Sequence, residues 1–330
     1  MPPITVPLHA PELAPGPWIQ GPAVSIAFSR GAVILVEFWE STCVNCVRTL
    51  PYLKAWHERY AGRGLLVVGV HTPEFDFTAD PGVVAAAVAA EGIPYPVLLD
   101  RDKATWQLFA NHYWPSRYLI DARGYMRYEH FGEGAYGDTE DWIQRLLREA
   151  GDTAPMPPLL EPVRGEDRPG AVCYPATREI HAGFHRGKLL APEGYRPGEV
   201  VDHQARAEGP APPGMFTARG RWLHEAEYLE SGEPGAEIEL VCDAAGVNAV
   251  LEPGGTLELE VDGAPVPEAE RGADVVEPVE QDGRTFAVWQ SGRMVRLIGG
   301  GAFRHRRLTL RFPSAGIRLY AFSFSSICVE

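Results

Sequence analysis

The chain has 330 residues, 45% of them apolar, which is enough for two domains with hydrophobic cores. Its formal charge is −14, so its surface repels phosphate groups and disfavours nucleic acid and anionic lipid as partners.

The N-terminal residues 1–18 lack a basic start followed by an apolar run, which a secretory signal requires. No stretch approaches the roughly 18 uninterrupted apolar residues of a membrane-spanning helix. The sequence therefore predicts no membrane span and a cytoplasmic location as given. The alternative is an extracytoplasmic location, if a leader or a membrane portion is missing from the sequence.

Alternating strand and helix patterns predict an α/β domain over residues 1–150. In chain order they are a buried strand in AVILVEF, a helix from Cys43 to about Arg63, a buried strand in LLVVGV, a helix in PGVVAAAVAAEG, a strand in YPVLL, a helix in DKATWQLFANHY, a hairpin in RYLIDARGYMRYEHF and a helix in DTEDWIQRLLREAG. Asp138 or Thr139 is the expected cap of the last helix. This alternation is typical of a sheet with helices on both faces.

The composition changes after residue 150. Residues 151–170 are rich in proline, glycine and charge, which predicts an exposed linker. Residues 171–330 contain short alternating or apolar runs separated by turns such as EPGG, DG and SAG, and this pattern predicts an all-β sandwich or jelly roll. Trp222, Trp289 and Tyr320 are candidates for a sugar site there, although core packing is their expected role.

Five cysteines are too few and too scattered for a scaffold held together by disulfides. Cys173, Cys242 and Cys328 are expected to be structural, with a regulatory disulfide among them as the alternative. Cys43 and Cys46 form the one close pair. Because no second cysteine pair or suitably spaced histidines accompany them, no metal site is predicted.

The close pair lies where a buried strand ends and a helix begins. At a helix N-terminus, unpaired amides and the macrodipole favour an anion, and a thiolate is the attacking species in disulfide exchange. Cys46 lies one turn after Cys43 on the same face, so it can resolve a mixed disulfide. Pro51 interrupts the helix at a cost of about 3 kcal/mol, which indicates a role other than helix stability. These features predict a redox-active pair rather than two incidental buried thiols.

The motifs VEFW and CVNC, with a helix proline eight residues after the first cysteine, resemble the thioredoxin superfamily. The strand and helix between residues 65 and 99 resemble its TlpA-like and peroxiredoxin-like branch. FWESTCVNC, GVHTPEF, ATWQLFANHYWPSRYLID and FGEGAY are similar to the C-terminal region of DipZ-type proteins, in which a thioredoxin-like domain precedes a jelly roll resembling carbohydrate-binding modules. TREIHAGFHRG and ARGRWLHEAEYLE resemble the second domain of that family.

This resemblance implies a role for each matching residue. Cys43 is the expected nucleophile and Cys46 the resolving thiol. Glu37 falls at the buried-acid position and is the expected acceptor of the Cys46 proton. Pro115 matches the cis-proline that faces the disulfide, and Trp39 matches the tryptophan that packs beside the pair.

Further residues are expected to border the binding cleft. Trp114 precedes the proline and would offer its backbone to a bound peptide in strand-like pairing. Thr42 replaces the tryptophan that usually precedes the first cysteine. His71 and Glu74 follow the end of a central strand, an edge that hosts sites in open α/β sheets, although a polar loop is the alternative.

The predicted function is thiol–disulfide exchange with protein thiols and disulfides as partners. No cofactor is expected beyond the Cys43–Cys46 disulfide itself. One alternative is a thiol peroxidase, since Thr42 precedes the first cysteine, although the PxxxTxxC arrangement is absent. The other is a glycan- or protein-binding module in residues 171–330 that carries an accessory redox domain.

Overall fold

The computed structural model describes residues 8–204, 209–276 and 283–329. The chain divides into two compact units, Met1–Pro169 and Gly170–Glu330. Among the described residues, no helix combines the length and the apolar character that crossing a bilayer requires.

The first unit is an α/β domain, as predicted. Its strands and helices in chain order are β1 (Leu8–His9), β2 (Trp18–Gln20), β3 (Val33–Trp39), α1 (Val44–Tyr60), β4 (Leu65–His71), α2 (Pro81–Glu91), β5 (Val97–Leu99), α3 (Ala104–Leu108), β6 (Ser116–Ile120), β7 (Tyr125–Phe131) and α4 (Tyr136–Glu149). Short 3-10 helices cover Ala61–Arg63, Asp76–Ala79 and Gly165–Asp167.

These strands form one sheet in the order β1-β7-β6-β3-β4-β5-β2. Strands β3, β4 and β5 run parallel, and β6 runs antiparallel to β3. Every residue of β3 is buried, and alternate residues belong to different cores. Val33, Leu35 and Trp39 join the core that includes α1, α2 and α4, whereas Ile34, Val36 and Phe38 join the core on the opposite face. The two-residue period of a strand explains this division.

The ends of α2 follow the sequence signals. Pro81 occupies the first turn, Asp80 accepts hydrogen bonds from the amides of Gly82 and Val83, and Gly92 ends the helix at a φ of 58°. The prediction that Asp138 or Thr139 caps α4 is wrong. The helix begins at Tyr136 after Ala135, whose φ is 49°, so Asp138 and Thr139 lie within its first turns. Tyr136 stacks on Tyr52 with ring centroids 3.7 Å apart, and this packing favours the earlier start.

The segment predicted as an exposed linker lies largely within the first unit, which extends to Pro169. Met156 and Leu160 pack against the core that contains α1 and α4. The Leu160 amide donates to Glu140, and the Val163 amide donates to the Tyr52 hydroxyl, each at 2.7 Å. The proline-rich composition thus produces an irregular segment that is hydrogen-bonded to the domain rather than a free tether.

The second unit is all-β, as predicted. Its strands are β8 (Val172–Cys173), β9 (Ile180–His181), β10 (Val200–His203), β11 (Phe216–His224), β12 (Leu229–Ser231), β13 (Ala236–Ala244), β14 (Gly246–Glu252), β15 (Gly255–Val261), β16 (Ala264–Pro265), β17 (Val275–Val276), β18 (Thr285–Trp289), β19 (Arg293–Ile298), β20 (Arg304–Phe312), β21 (Arg318–Ser325) and β22 (Cys328–Val329). A 3-10 turn covers Glu268–Glu270.

Strand β11 is shared between two antiparallel sheets. Its first half, Phe216–Arg219, pairs with β13, and residues 220–223 of its second half pair with β10. Gly220 has a φ of 82°, a backbone conformation that residues other than glycine rarely adopt. It lies where the strand passes from one sheet to the other. Side chains from both sheets form one core.

The three aromatic residues considered for a sugar site are buried. Trp222 is 0%, Tyr320 2% and Trp289 3% exposed, which agrees with the expected core packing. Trp222 lies edge-to-face on Phe312, with centroids 5.0 Å apart. None of the three therefore provides an exposed platform on which a sugar ring stacks.

The remaining cysteines differ in state. Cys242 is buried and free, whereas Cys173 and Cys328 form a disulfide between β8 and β22. One disulfide thus exists among these three cysteines, and a regulatory role for it stays a prediction. Sequence spacing could not indicate it, because the two cysteines are 155 residues apart.

Candidate active site

Cys43 and Cys46 lie together at the start of α1. Cys43 is the N-cap residue and is half-buried, and its sulfur accepts a hydrogen bond from the Cys46 amide at 3.2 Å. Cys46 is fully buried. Burial, and then the hydrogen bond of its thiol with Cys43, raise the pKa of Cys46 well above its usual value. Both cysteines are free, so the pair is in its dithiol form, with one accessible and one buried sulfur.

Glu37 is buried on β3 and lies against a buried arginine. Its Oε2 is 3.5 Å from Nε of Arg117, and its Oε1 accepts a hydrogen bond from the Thr49 hydroxyl at 3.3 Å. The Arg117 guanidinium lies over the rings of Trp56 and Tyr136, at 5.8 and 5.1 Å. Burial raises the pKa of Glu37 to about 7, against the opposing effects of Arg117 and Thr49. The carboxyl is thus part of a buried ionic cluster.

Pro115 lies at the same edge of the sheet as the cysteine pair. The Trp114–Pro115 peptide bond is cis, as the resemblance implied. Ser116 pairs with Phe38, so Pro115 lies beside the end of β3, shortly before α1 begins. Trp114 is half-buried and donates from its indole Nε1 to the Thr72 carbonyl at 3.0 Å. Trp114 and both cysteines belong to one apolar cluster.

Trp39, Thr42 and His71 are almost entirely buried, at 1%, 4% and 0% exposure, so they support the site from beneath rather than present a surface to a partner. Trp39 lies edge-to-face on His71 with centroids 5.0 Å apart. Burial lowers the pKa of His71 to about 3, which keeps the ring neutral. Glu74 is half-buried on the following loop.

Three features of this unit and its neighbour escaped the sequence patterns. Glu40 is buried directly after β3, and burial raises its pKa to about 7. Arg117 is the buried partner of Glu37. The Cys173–Cys328 disulfide is the third. For Glu40 a sequence signal existed, because a second acid so close to a fully buried strand is unusual and requires a partner.

Known proteins resemble both units. Residues 10–129 match the AhpC/TSA family, and residues 177–325 match the family described as thioredoxin like C-terminal domain. Protein DipZ of Mycobacterium bovis is 32% identical over 314 residues, which are 93% of this chain and 41% of DipZ. The chain thus spans about two fifths of the DipZ length, and the resemblance stated from the sequence is confirmed.

Two further matches cover about two fifths of this chain. Thiol-disulfide oxidoreductase ResA of Bacillus thuringiensis is 20% identical over 128 residues, 39% of this chain and 71% of ResA. The solved structure of a thiol-disulfide isomerase from Corynebacterium glutamicum covers 42% of this chain and 96% of its own, with 25% identity and a TM-score of 0.39.

Proposed function

Because this chain is a homologue of DipZ with a thioredoxin-like first domain, we propose that it is a thiol–disulfide oxidoreductase acting on protein disulfides through Cys43 and Cys46. The observation that carries the proposal is the asymmetry of the pair. The half-buried Cys43 sulfur accepts the Cys46 amide at 3.2 Å, while Cys46 is sealed from solvent. Only the first sulfur is accessible to a partner, and the second is close enough to complete the exchange.

The reaction has two balanced steps. The Cys43 thiolate attacks one sulfur of a substrate disulfide, and the other sulfur leaves with its electron pair and takes a proton. Cys46 then loses its proton and attacks the Cys43 sulfur, which releases the second substrate thiol and leaves a Cys43–Cys46 disulfide. The substrate gains two electrons and the enzyme loses two. The same steps run backwards when the pair is more oxidising than its partner.

Reduction of insulin by the full chain, with a dithiol donor, tests this proposal. We expect activity from the wild type, none from Cys43→Ser, and an accumulating mixed disulfide with insulin from Cys46→Ser, because the second step is then blocked. The variant Cys242→Ser is the matched control, since that thiol is buried in the other unit. Equal activity of the wild type and Cys43→Ser would end the proposal.

The match to the AhpC/TSA family raises thiol peroxidase as a second candidate. A peroxidatic cysteine needs a threonine hydroxyl and an arginine directed at the bound peroxide. Here the Thr42 hydroxyl donates to Glu40, and Arg117 is buried against Glu37, which is why we favour disulfide exchange. Peroxide consumption by the reduced protein, faster than its reaction with insulin, would reverse this preference.

The Cys173–Cys328 disulfide bears on the compartment. Structural disulfides persist in oxidising compartments and are rare in the reducing cytosol. We therefore propose the extracytoplasmic location over the cytoplasmic one expected from the sequence alone. Thiol trapping in intact producing cells tests it. Cys173 and Cys328 should be recovered oxidised, whereas recovery of both as thiols would favour the cytoplasm.

A further inference from the structure

Two histidines lie in direct contact inside the second unit. His203 ends β10 and His224 ends β11, and they are 1% and 0% exposed. Their Nε2 atoms are 2.9 Å apart, a hydrogen-bond distance that leaves room for one proton between the two rings. The pair therefore shares a proton in a place that water does not reach.

The outer nitrogen of each ring also has a partner. His224 Nδ1 accepts the Arg196 amide at 2.9 Å, and His203 Nδ1 lies 3.0 Å from the Glu193 carboxylate. Because a backbone amide can only donate, His224 Nδ1 carries no proton. The His224 proton is then on Nε2 and points at His203, whose own proton is on Nδ1 and points at Glu193. The four groups thus form a one-way chain of hydrogen bonds in which both rings are neutral.

Addition of one proton breaks this chain wherever the proton binds. On His224 Nδ1 it faces the Arg196 amide, and on His203 Nε2 it faces the proton of His224. Each outcome sets two buried donors against each other, which costs more than the loss of one hydrogen bond. Burial, and then repulsion from His203 and Arg196, lower the pKa of His224 to about 4. The closed arrangement therefore keeps the pair neutral.

The partners of the pair lie on one surface segment, residues 193–199, which consists of turns and irregular backbone. Besides the Arg196 amide, the Gly198 amide donates to the His224 carbonyl at 2.8 Å. The His224 amide in turn donates to the Glu199 carbonyl at 3.0 Å. Since three hydrogen bonds of the segment are made to His224, a change of charge on that ring acts directly on the segment.

The groups packed around the pair largely favour its neutral form. The Tyr195 ring lies edge-to-face on His224, with centroids 5.5 Å apart, and the apolar Leu229 pairs with His224 from β12. The Arg196 side chain repels a proton on His224. Glu193 has the opposite effect, because its carboxylate attracts a proton on His203. The Glu193 side chain is 22% exposed, so water weakens this attraction.

We propose that the His203–His224 pair is a pH-sensitive switch, in which uptake of one proton releases the 193–199 segment from β11. In the closed state the neutral pair accepts the Arg196 amide and holds the segment. In the open state the amide bonds to water, and the ring carries its added proton facing solvent. The proton comes from water, and only hydrogen bonds change. The switch lies in the second unit and is separate from the proposed disulfide exchange.

Hydrogen–deuterium exchange of the full chain, measured by mass spectrometry, tests the switch. Protection factors corrected for the pH dependence of exchange in unstructured peptides measure the opening alone. The open segment allows an ordinary histidine pKa of about 6.5, whereas the closed one allows only about 4. We therefore expect the protection of the 193–199 segment to fall roughly 100-fold from about pH 7 to about pH 4. Peptides from β13 and β20, which pair along their whole length, should keep their protection.

Two variants that remove one negative charge each are compared with the wild type. Glu193→Gln keeps an acceptor for the His203 proton but removes the charge that favours a protonated ring, so the loss of protection should begin at a lower pH. Asp202→Asn is the matched control. Asp202 is exposed on β10 and points to the opposite face from His203, so its transition should match the wild type. Equal shifts in the two variants would overturn the inference.

His224→Asn removes the titrating ring, so protection of the segment should no longer depend on pH in this range. If that variant does not fold, nitrogen-15 NMR of the wild-type histidines still tests the hydrogen-bond chain, because His224 Nδ1 should be unprotonated at neutral pH. A protonated His224 Nδ1 would overturn the inference. So would a segment whose protection does not change in the wild type, or a loss of protection in β13 and β20 at the same pH.

Discussion

Replacement of Glu37 by glutamine sets two opposing effects against each other. Burial favours a neutral group at this position, whereas the Arg117 guanidinium, 3.5 Å away, favours a negative one. The pKa of Glu37, raised to about 7 from an ordinary 4.5, means that burial is the larger effect. We therefore expect the stability of the Glu37→Gln variant relative to the wild type to increase as the pH rises through neutrality.

The sign and the size follow from proton linkage. Between about pH 4.5 and 7 the unfolded chain has released the Glu37 proton and the folded chain keeps it, so the free energy of unfolding falls as the pH rises. A pKa difference of about 2.5 units corresponds to a loss of about 3 kcal/mol. The stabilisation of Glu37→Gln relative to the wild type should therefore grow by about 3 kcal/mol from about pH 4 to about pH 8.

Urea denaturation followed by tryptophan fluorescence measures this difference, because six of the eight tryptophans belong to the first unit. At about pH 4 both proteins carry a neutral group opposite Arg117, so that pH supplies the reference. The opposite outcome is that the stability of the variant relative to the wild type falls between about pH 4 and about pH 8. The attraction to Arg117 would then be the larger effect. The assignment of a raised pKa to Glu37 would then be refuted.

Three further predictions concern local stability. Asp80→Ala should lower the unfolding free energy of the first unit by about 1 kcal/mol in urea titrations, because α2 loses its N-cap; no change would contradict the cap. Cys328→Ser should destabilise the second unit by up to about 5 kcal/mol, since its bond to Cys173 closes a 155-residue separation; calorimetric transitions that are identical with and without reductant would contradict this. Trp222→Ala should cost about 3–5 kcal/mol through loss of packing on Phe312, while insulin reduction continues, and loss of that activity in the folded variant would contradict a purely structural role.

The order and type of the main elements could be predicted because each has a local signal. Strand β3 is a buried apolar run, and α2 has proline at its start and glycine at its end. The start of α4 could not be predicted, because Tyr136 stacks on Tyr52, which lies 84 positions earlier in the chain. The segment of residues 151–170 is exposed or half-buried throughout, as predicted, but its hydrogen bonds to the rest of the unit could not be predicted. Its hydrogen bonds to Glu140 and to the Tyr52 hydroxyl leave no trace in composition.

The residues of the candidate site also differ in whether the sequence could predict them. The cysteine pair and the cis Trp114–Pro115 bond follow from short motifs, so their positions were predictable. The partner of Glu37 was not, because Arg117 reaches it across the sheet from β6. Glu40 lies inside the motif, where a second acid close to a buried strand was a signal, but its neighbours depend on the turn into α1 and on His71 from the neighbouring strand.

The two buried acids have different neighbours, so their replacement has different consequences. Glu37 faces a guanidinium that has no access to solvent, so changing Glu37 alters the charge balance of the folded core. Glu40 accepts hydrogen bonds from the Thr42 amide and hydroxyl, so changing Glu40 alters the turn that leads into α1.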